Sequence, residues 1–116
     1  MTAITIIRCG LLAEIPALPD SVTALELSDC TGLKTIGSLG KGLAQFRMRA
    51  CHRVTCLPEL PLGLESLDLD YNRRLLQVPS LGPALTELFV CKCYSLQRMV
   101  EIPTGVSFPV IRDNGF

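Results

Sequence analysis

Apolar residues recur along this chain at a fixed interval. Cut into blocks of 21, residues 1–21, 22–42, 43–63, 64–84 and 85–105 place their aliphatic side chains in the same columns, and residues 106–116 begin a further block. Numbering positions within a block as slots, the fourth slot holds Ile4, Leu25, Phe46, Leu67, Leu88 and then Pro109. The sixth holds Ile6, Leu27, Met48, Leu69, Val90 and Ile111. The twelfth holds Leu12, Leu33, Val54, Leu75 and Leu96, and the fifteenth Ile15, Ile36, Leu57, Val78 and Met99. Leu18, Leu39, Leu60, Leu81 and Ile102 follow three residues later. A repeat of this length decides the fold before any single residue is considered.

Each column predicts a local geometry. Alternation at slots four and six predicts a short strand with one face inward. The later spacing of three predicts a return leg on the opposite side of the coil. Pro16, Pro58 and Pro79 share one slot there, and Pro19, Pro61 and Pro103 another. Proline lacks an amide donor and fixes φ, so the return is not a regular helix but an extended, polyproline-like or 3₁₀ path. One such coil cannot bury its apolar side alone. Stacked coils make a continuous core and a parallel sheet, each coil advancing by about 4.8 Å. The reading is a single domain, 1–116, of five coils and a partial sixth.

The pattern L-x-x-L-x-L-x-x-C/N-x-x-L-x-x-I/L/V-P-x-L-P resembles the leucine-rich-repeat family over the whole chain. That resemblance implies an α/β-class solenoid, a curved right-handed coil. Its parallel β-sheet would form the concave face, with extended or 3₁₀ segments on the convex face and little regular helix. Leu57-Pro58-Glu59-Leu60-Pro61 is similar to the short repeats of bacterial type III secreted effectors, with plant intracellular immune receptors as the second match. The function so implied is recognition of a partner protein by the concave face.

Composition narrows this further. Apolar residues make up 48% of the chain but aromatics only 5%, and there is no Trp, so the core must be aliphatic. Eleven basic and eleven acidic residues leave no net charge, hence no general attraction to nucleic acid or membrane. No run approaches the roughly 18 apolar residues of a membrane span, and the N-terminal residues lack the basic segment of a secretory leader. The expected location is intracellular, or the cytosol of a host cell if the chain is an effector.

Cys9, Cys30, Cys51 and Cys93 stand at the ninth slot, which Asn72 and Asn114 fill in the other blocks. An Asn there bonds to neighbouring backbone as the chain leaves the strand, whereas a Cys is a small buried hydrophobe with a weak donor. Their side chains run parallel as a ladder, which predicts reduced thiols rather than disulfides. Cys91 and Cys93 share a face only if their strand continues regularly. Cys56 falls in a column of polar residues and is expected to be exposed. No metal or other cofactor is expected.

The outward slots three, five, seven and eight give the candidate partner-binding residues: Glu26, Arg47, Arg49, Asp68, Asp70, Tyr71, Phe89 and Lys92. Glu26–Arg47–Asp68 and Arg49–Asp70 alternate in sign between adjacent strands. This serves as a lateral ion-pair ladder, as a recognition face that fixes a partner's register, or as both. Toward the C-terminal end the face turns apolar with Phe89, Cys91, Val110 and Phe108 beside Tyr71, a hot spot in kind unless further chain covers it. A one-residue slip in the last coil would turn Phe108 and Val110 inward. His52, Arg53, Arg73 and Arg74 are expected to cluster on one edge, as a solvated loop or an anion-binding rim.

Catalysis is not expected, because one histidine makes no triad and the carboxylates lie along an open sheet rather than in a cleft. Two classes of role remain. One is a protein-recognition module. The other is a structural solenoid, self-associating through uncapped ends or forming part of a larger repeat protein.

Overall fold

The computed structural model describes residues 2–116. Eight strands follow in order: β1 (Thr2–Ile7), β2 (Glu14–Ile15), β3 (Val22–Ser28), β4 (Thr35–Ile36), β5 (Gln45–Arg49), β6 (Ser66–Asp70), β7 (Glu87–Cys91) and β8 (Val110–Arg112). Six of them form one parallel sheet in the order β1-β3-β5-β6-β7-β8, and β2 pairs with β4 in a separate small sheet. The chain is a β-solenoid of about five turns.

The pairing follows the 21-residue repeat. Leu25 lies opposite Phe46, Phe46 opposite Leu67, and Leu67 opposite Leu88. In the last coil Val110 pairs with Phe89 and Ile111 with Val90, so the register does not slip. Pro109 lies just before β8 rather than within it, since a residue without an amide cannot supply the first ladder bond.

Slots one, four, six, nine, twelve and fifteen converge on a single aliphatic core. Leu27, Leu33, Leu43, Met48, Leu69, Leu75 and Val90 are completely buried. Ile4, Ile6, Leu12 and Leu18, in the coil with a neighbour on one side only, are packed against this core but half-buried.

Two turns recur in most of the coils. In the first, the amide at slot twelve donates to the carbonyl at slot nine, as from Leu33 to Cys30 at 3.2 Å and from Leu96 to Cys93 at 3.0 Å. In the second, the amide opening a coil donates back three residues, as from Val22 to Pro19 and from Leu64 to Pro61.

The α/β label needs correction. Among the described residues there is no helix, neither α nor 3₁₀, and the return leg is extended between its turns. Proline also explains where the small sheet stops. Gly37 occupies the slot that Pro16, Pro58 and Pro79 hold in other coils, and its amide donates to the Ile15 carbonyl at 2.7 Å. Pro58 and Pro79 have no such amide, so the β2–β4 pairing ends after two coils.

Candidate functional site

The exit from each strand is the least expected feature. Arg8, Asp29, Ala50, Tyr71, Lys92 and Asp113, all at slot eight, adopt φ between 53° and 59°. Strict alternation would send slot eight inward after slots four and six. The left-handed turn instead swings it away from the core and brings slot nine in. The ladder continues through this residue, with Asp29 N donating to Arg49 O at 3.0 Å and Tyr71 N to Cys91 O at 2.9 Å. Tyr71 and Lys92, expected on the sheet face, therefore stand at its rim, one residue past the strand. Ala50 shares the slot yet is 7% exposed, as it is too short to reach past its neighbours.

Slot nine behaves as its chemistry requires. Asn72 is fully buried. Its Oδ1 accepts from Cys51 N at 3.1 Å, and its Nδ2 donates to Met48 O at 3.0 Å, joining two coils. Asn114 repeats this with Cys93 N and Val90 O, both at 3.0 Å. All six cysteines are free. Cys30, Cys51 and Cys93 are buried, and their thiols lie against strand carbonyls at 3.5–3.6 Å. Burial pushes the Cys51 thiol up to about 12, and burial also raises Cys93. Cys9 departs from the expected ladder and is only half-buried, as it follows β1, the edge strand of the sheet. The strand does not continue regularly beyond Cys91, so Cys93 turns into the core while Cys91 stays on the outer side.

Across the open face of the sheet, the charged side chains pair between strands. Arg47 Nε lies 3.3 Å from Asp68 Oδ2, and Arg47 Nη1 lies 4.0 Å from Glu26 Oε2. Arg49 Nε lies 3.2 Å from Asp70 Oδ2. The arginines are more than half exposed, so each pair contributes up to about 1 kcal/mol. Asp68 lies within the field of both arginines. Burial raises its carboxyl pKa, Arg47 and Arg49 oppose that rise, and Oδ1 is shielded without a hydrogen-bond partner among the described residues.

Beside these pairs the face becomes apolar. Phe89 is half-buried, Phe108 is 91% exposed and Val110 is exposed, and with Arg47, Asp68 and Glu87 they line one depression. Cys91 is not part of the exposed patch. At 3% exposure its short side chain is covered between Asp70 and Arg112, its partners in the sheet.

A row of rings borders the sheet. His52 meets Tyr71 edge-on with centroids 4.8 Å apart, and Tyr71 meets Tyr94 likewise at 6.2 Å. The sequence reading missed Tyr94 as a site residue. Its signal was its column, since Tyr94 is the slot-ten equivalent of His52. Asp29, Arg49, Asp70 and Lys92 complete a depression of about 500 Å³ around His52 and these rings. Burial depresses the His52 pKa, Arg73 and Arg74 depress it further, and Asp29 partly opposes them.

Among the described residues no cluster of three or more His, Cys, Asp or Glu is placed to hold a metal ion, and no helix is long and apolar enough to cross a membrane. Fold and surface together define a β-solenoid with an open, chemically varied parallel sheet. Comparison with protein-family models, curated proteins and solved structures finds no match.

Proposed function

We propose that this chain is a leucine-rich-repeat recognition module that binds another protein through the sheet face, expected to be concave, and is not itself an enzyme. The observation that carries this reading is the contrast between the two sides of the sheet. Inward slots repeat one aliphatic theme in every coil. Outward slots five and seven carry Thr5, Glu26, Arg47, Asp68, Phe89 and Val110, and Ile7, Ser28, Arg49, Asp70, Cys91 and Arg112. A rigid backbone presenting a different side chain at each step is suited to reading an extended partner surface. The partner would meet the arginine–carboxylate ladder with Phe89 and Tyr71 as apolar anchors and Lys92 at the rim. Membership in the repeat family draws support from the 21-residue period and the slot-nine Asn bridges between coils. The Leu-Pro-x-Leu-Pro return favours an effector-like module acting in a cytosol.

The test is cross-linked capture of a partner by wild type and by Arg47→Glu with Arg49→Glu. Both substitutions are on exposed side chains and leave the core intact. A protein captured by wild type and lost with the reversed charges supports the proposal. Equal capture by both would move the site off the sheet.

A second reading, end-to-end stacking of copies, is favoured by the half-buried Ile4, Ile6, Leu12 and Leu18 beside the edge strand β1. Light scattering over a range of concentrations separates it, since stacking predicts a mass that rises with concentration.

A further inference from the structure

The charge pattern changes character at one edge of the solenoid. On the sheet face, signs alternate between the neighbouring coils of β3, β5 and β6, and Arg47 and Arg49 are paired there. Just past the strands, Arg53 and Arg74 occupy the same slot of adjacent coils, and Arg73 stands beside them at the slot of His52. All three arginines are exposed, and none forms an ion pair among the described residues. With His52, Tyr94 and Ser95 they line a groove of about 730 Å³ that has no carboxylate in its lining.

Neighbouring coils stand about 5 Å apart, so like charges at equivalent slots repel. The pattern that relieves such repulsion on the sheet face is absent here. Two further features are built into the groove. The Ser95 hydroxyl donates to the Arg73 carbonyl at 2.6 Å, tying the backbone of one coil to the next. His52 Nδ1 is shielded from solvent and has no hydrogen-bond partner among the described residues.

We propose that this groove binds a phosphate monoester dianion, carried on a phosphorylated side chain of a partner protein, with Arg53, Arg73 and Arg74 as its ligands. Guanidinium groups match phosphate oxygens in geometry and give charge-assisted bonds. The Tyr94 ring forms the wall against which the organic part of the ester packs. The width of the cluster selects a single dianion over a nucleic-acid strand. Thr31-Gly32 on one side and Tyr94-Ser95 on the other hold the equivalent slots and carry no charge, so a strand continuing along this edge would find no cations at those slots in the next coils. The partner being a protein rests on the function proposed above.

The probe is phenyl phosphate, titrated into the full chain while the arginine side-chain Nε–H signals are followed by NMR. Phenol and sodium chloride at matched ionic strength serve as controls, with inorganic phosphate as a further arm. The expected result is saturable movement of the Arg53, Arg73 and Arg74 signals with phenyl phosphate alone or more tightly than with inorganic phosphate. Arg73→Gln with Arg74→Gln, checked for an unchanged backbone spectrum, should weaken that binding by about tenfold or more. Equal shifts with sodium chloride, or no saturation, would overturn the site. Tighter binding of inorganic phosphate than of the ester would overturn its assignment to a phosphorylated side chain. Because the titration needs no partner, its failure leaves the sheet-face proposal standing, and failure of the charge-reversal capture leaves this site standing.

Discussion

Removing the Asn72 side chain tests the central device of the fold, the polar bridge at slot nine. In Asn72→Ala, Cys51 N–H loses its acceptor at 3.1 Å and Met48 O loses a donor at 3.0 Å. Both groups lie where water does not reach, as Asn72, Cys51 and Met48 are all fully buried. An orphaned buried donor costs about 1–3 kcal/mol and a lost bond to a carbonyl about 1 kcal/mol, giving a destabilisation of about 2–4 kcal/mol. Asn72→Cys should cost less. In the preceding coil Cys51 fills this slot, buried with its thiol 3.5 Å from the Arg49 carbonyl, so a cysteine at residue 72 would keep the space filled and offer Cys51 N–H a weak sulfur acceptor. The expected cost is about 1–2 kcal/mol. Urea unfolding followed by circular dichroism, with both variants compared at equal m-value, measures the difference. If Asn72→Ala costs under about 1 kcal/mol, or if the two variants are equal, the bridge does not hold the coils as argued.

Other consequences follow from the same packing. Leu67→Ala should cost about 2–5 kcal/mol in the same assay, since Leu67 is 1% exposed and sits between Phe46 and Leu88; an unchanged unfolding midpoint would refute the register. A thiol reagent under native conditions should label exposed Cys56 quickly and leave buried Cys30, Cys51 and Cys93 unlabelled, read by mass spectrometry of digested protein. Lys92→Gly should be neutral or stabilising by up to about 1 kcal/mol, because it relieves a φ of 57° at an exposed side chain. His52 has a depressed folded-state pKa, so the unfolded chain takes up its proton first as pH falls. Its contribution is whole above the unfolded value of 6.5 and is lost as pH drops below it toward the folded value, a slope that His52→Gln should flatten.

Most of the architecture was legible because it rests on apolar periodicity. Ile6, Leu27, Met48, Leu69, Val90 and Ile111 announce a strand by alternation, and the prolines announce an extended return. The opposite charges of Arg47 and Asp68, one period apart, announce their pairing. What stayed hidden depends on backbone conformation that these residues do not advertise. A left-handed φ is usually signalled by Gly or Asn, yet slot eight carries Arg, Asp, Ala, Tyr, Lys and Asp. Without that turn, Tyr71 and Lys92 were placed on the face rather than the rim, and the meeting of His52, Tyr71 and Tyr94 could not be seen. Cys91 was misjudged for a different reason. Alternation gives the direction of a side chain, but its burial depends on the length of its lateral neighbours, here Asp70 and Arg112.

That distinction between direction and environment also separates the structural from the functional content of the sequence. The inward columns are constrained by one shared core, so Leu, Ile, Val, Met and Phe substitute for one another within them. Slot nine is constrained by backbone groups that must be satisfied, which both Asn and Cys can do to different degrees. The outward columns meet neither constraint. Alternating charge between β3, β5 and β6 keeps neighbours compatible, but it does not require Arg at residue 47 rather than Asp, nor Phe at residue 89 rather than Thr. The fold would tolerate the reverse order of signs equally well, since the pairs are exposed and weak. The fold leaves that order free, and it is there that the proposed recognition of a partner with complementary charge would act.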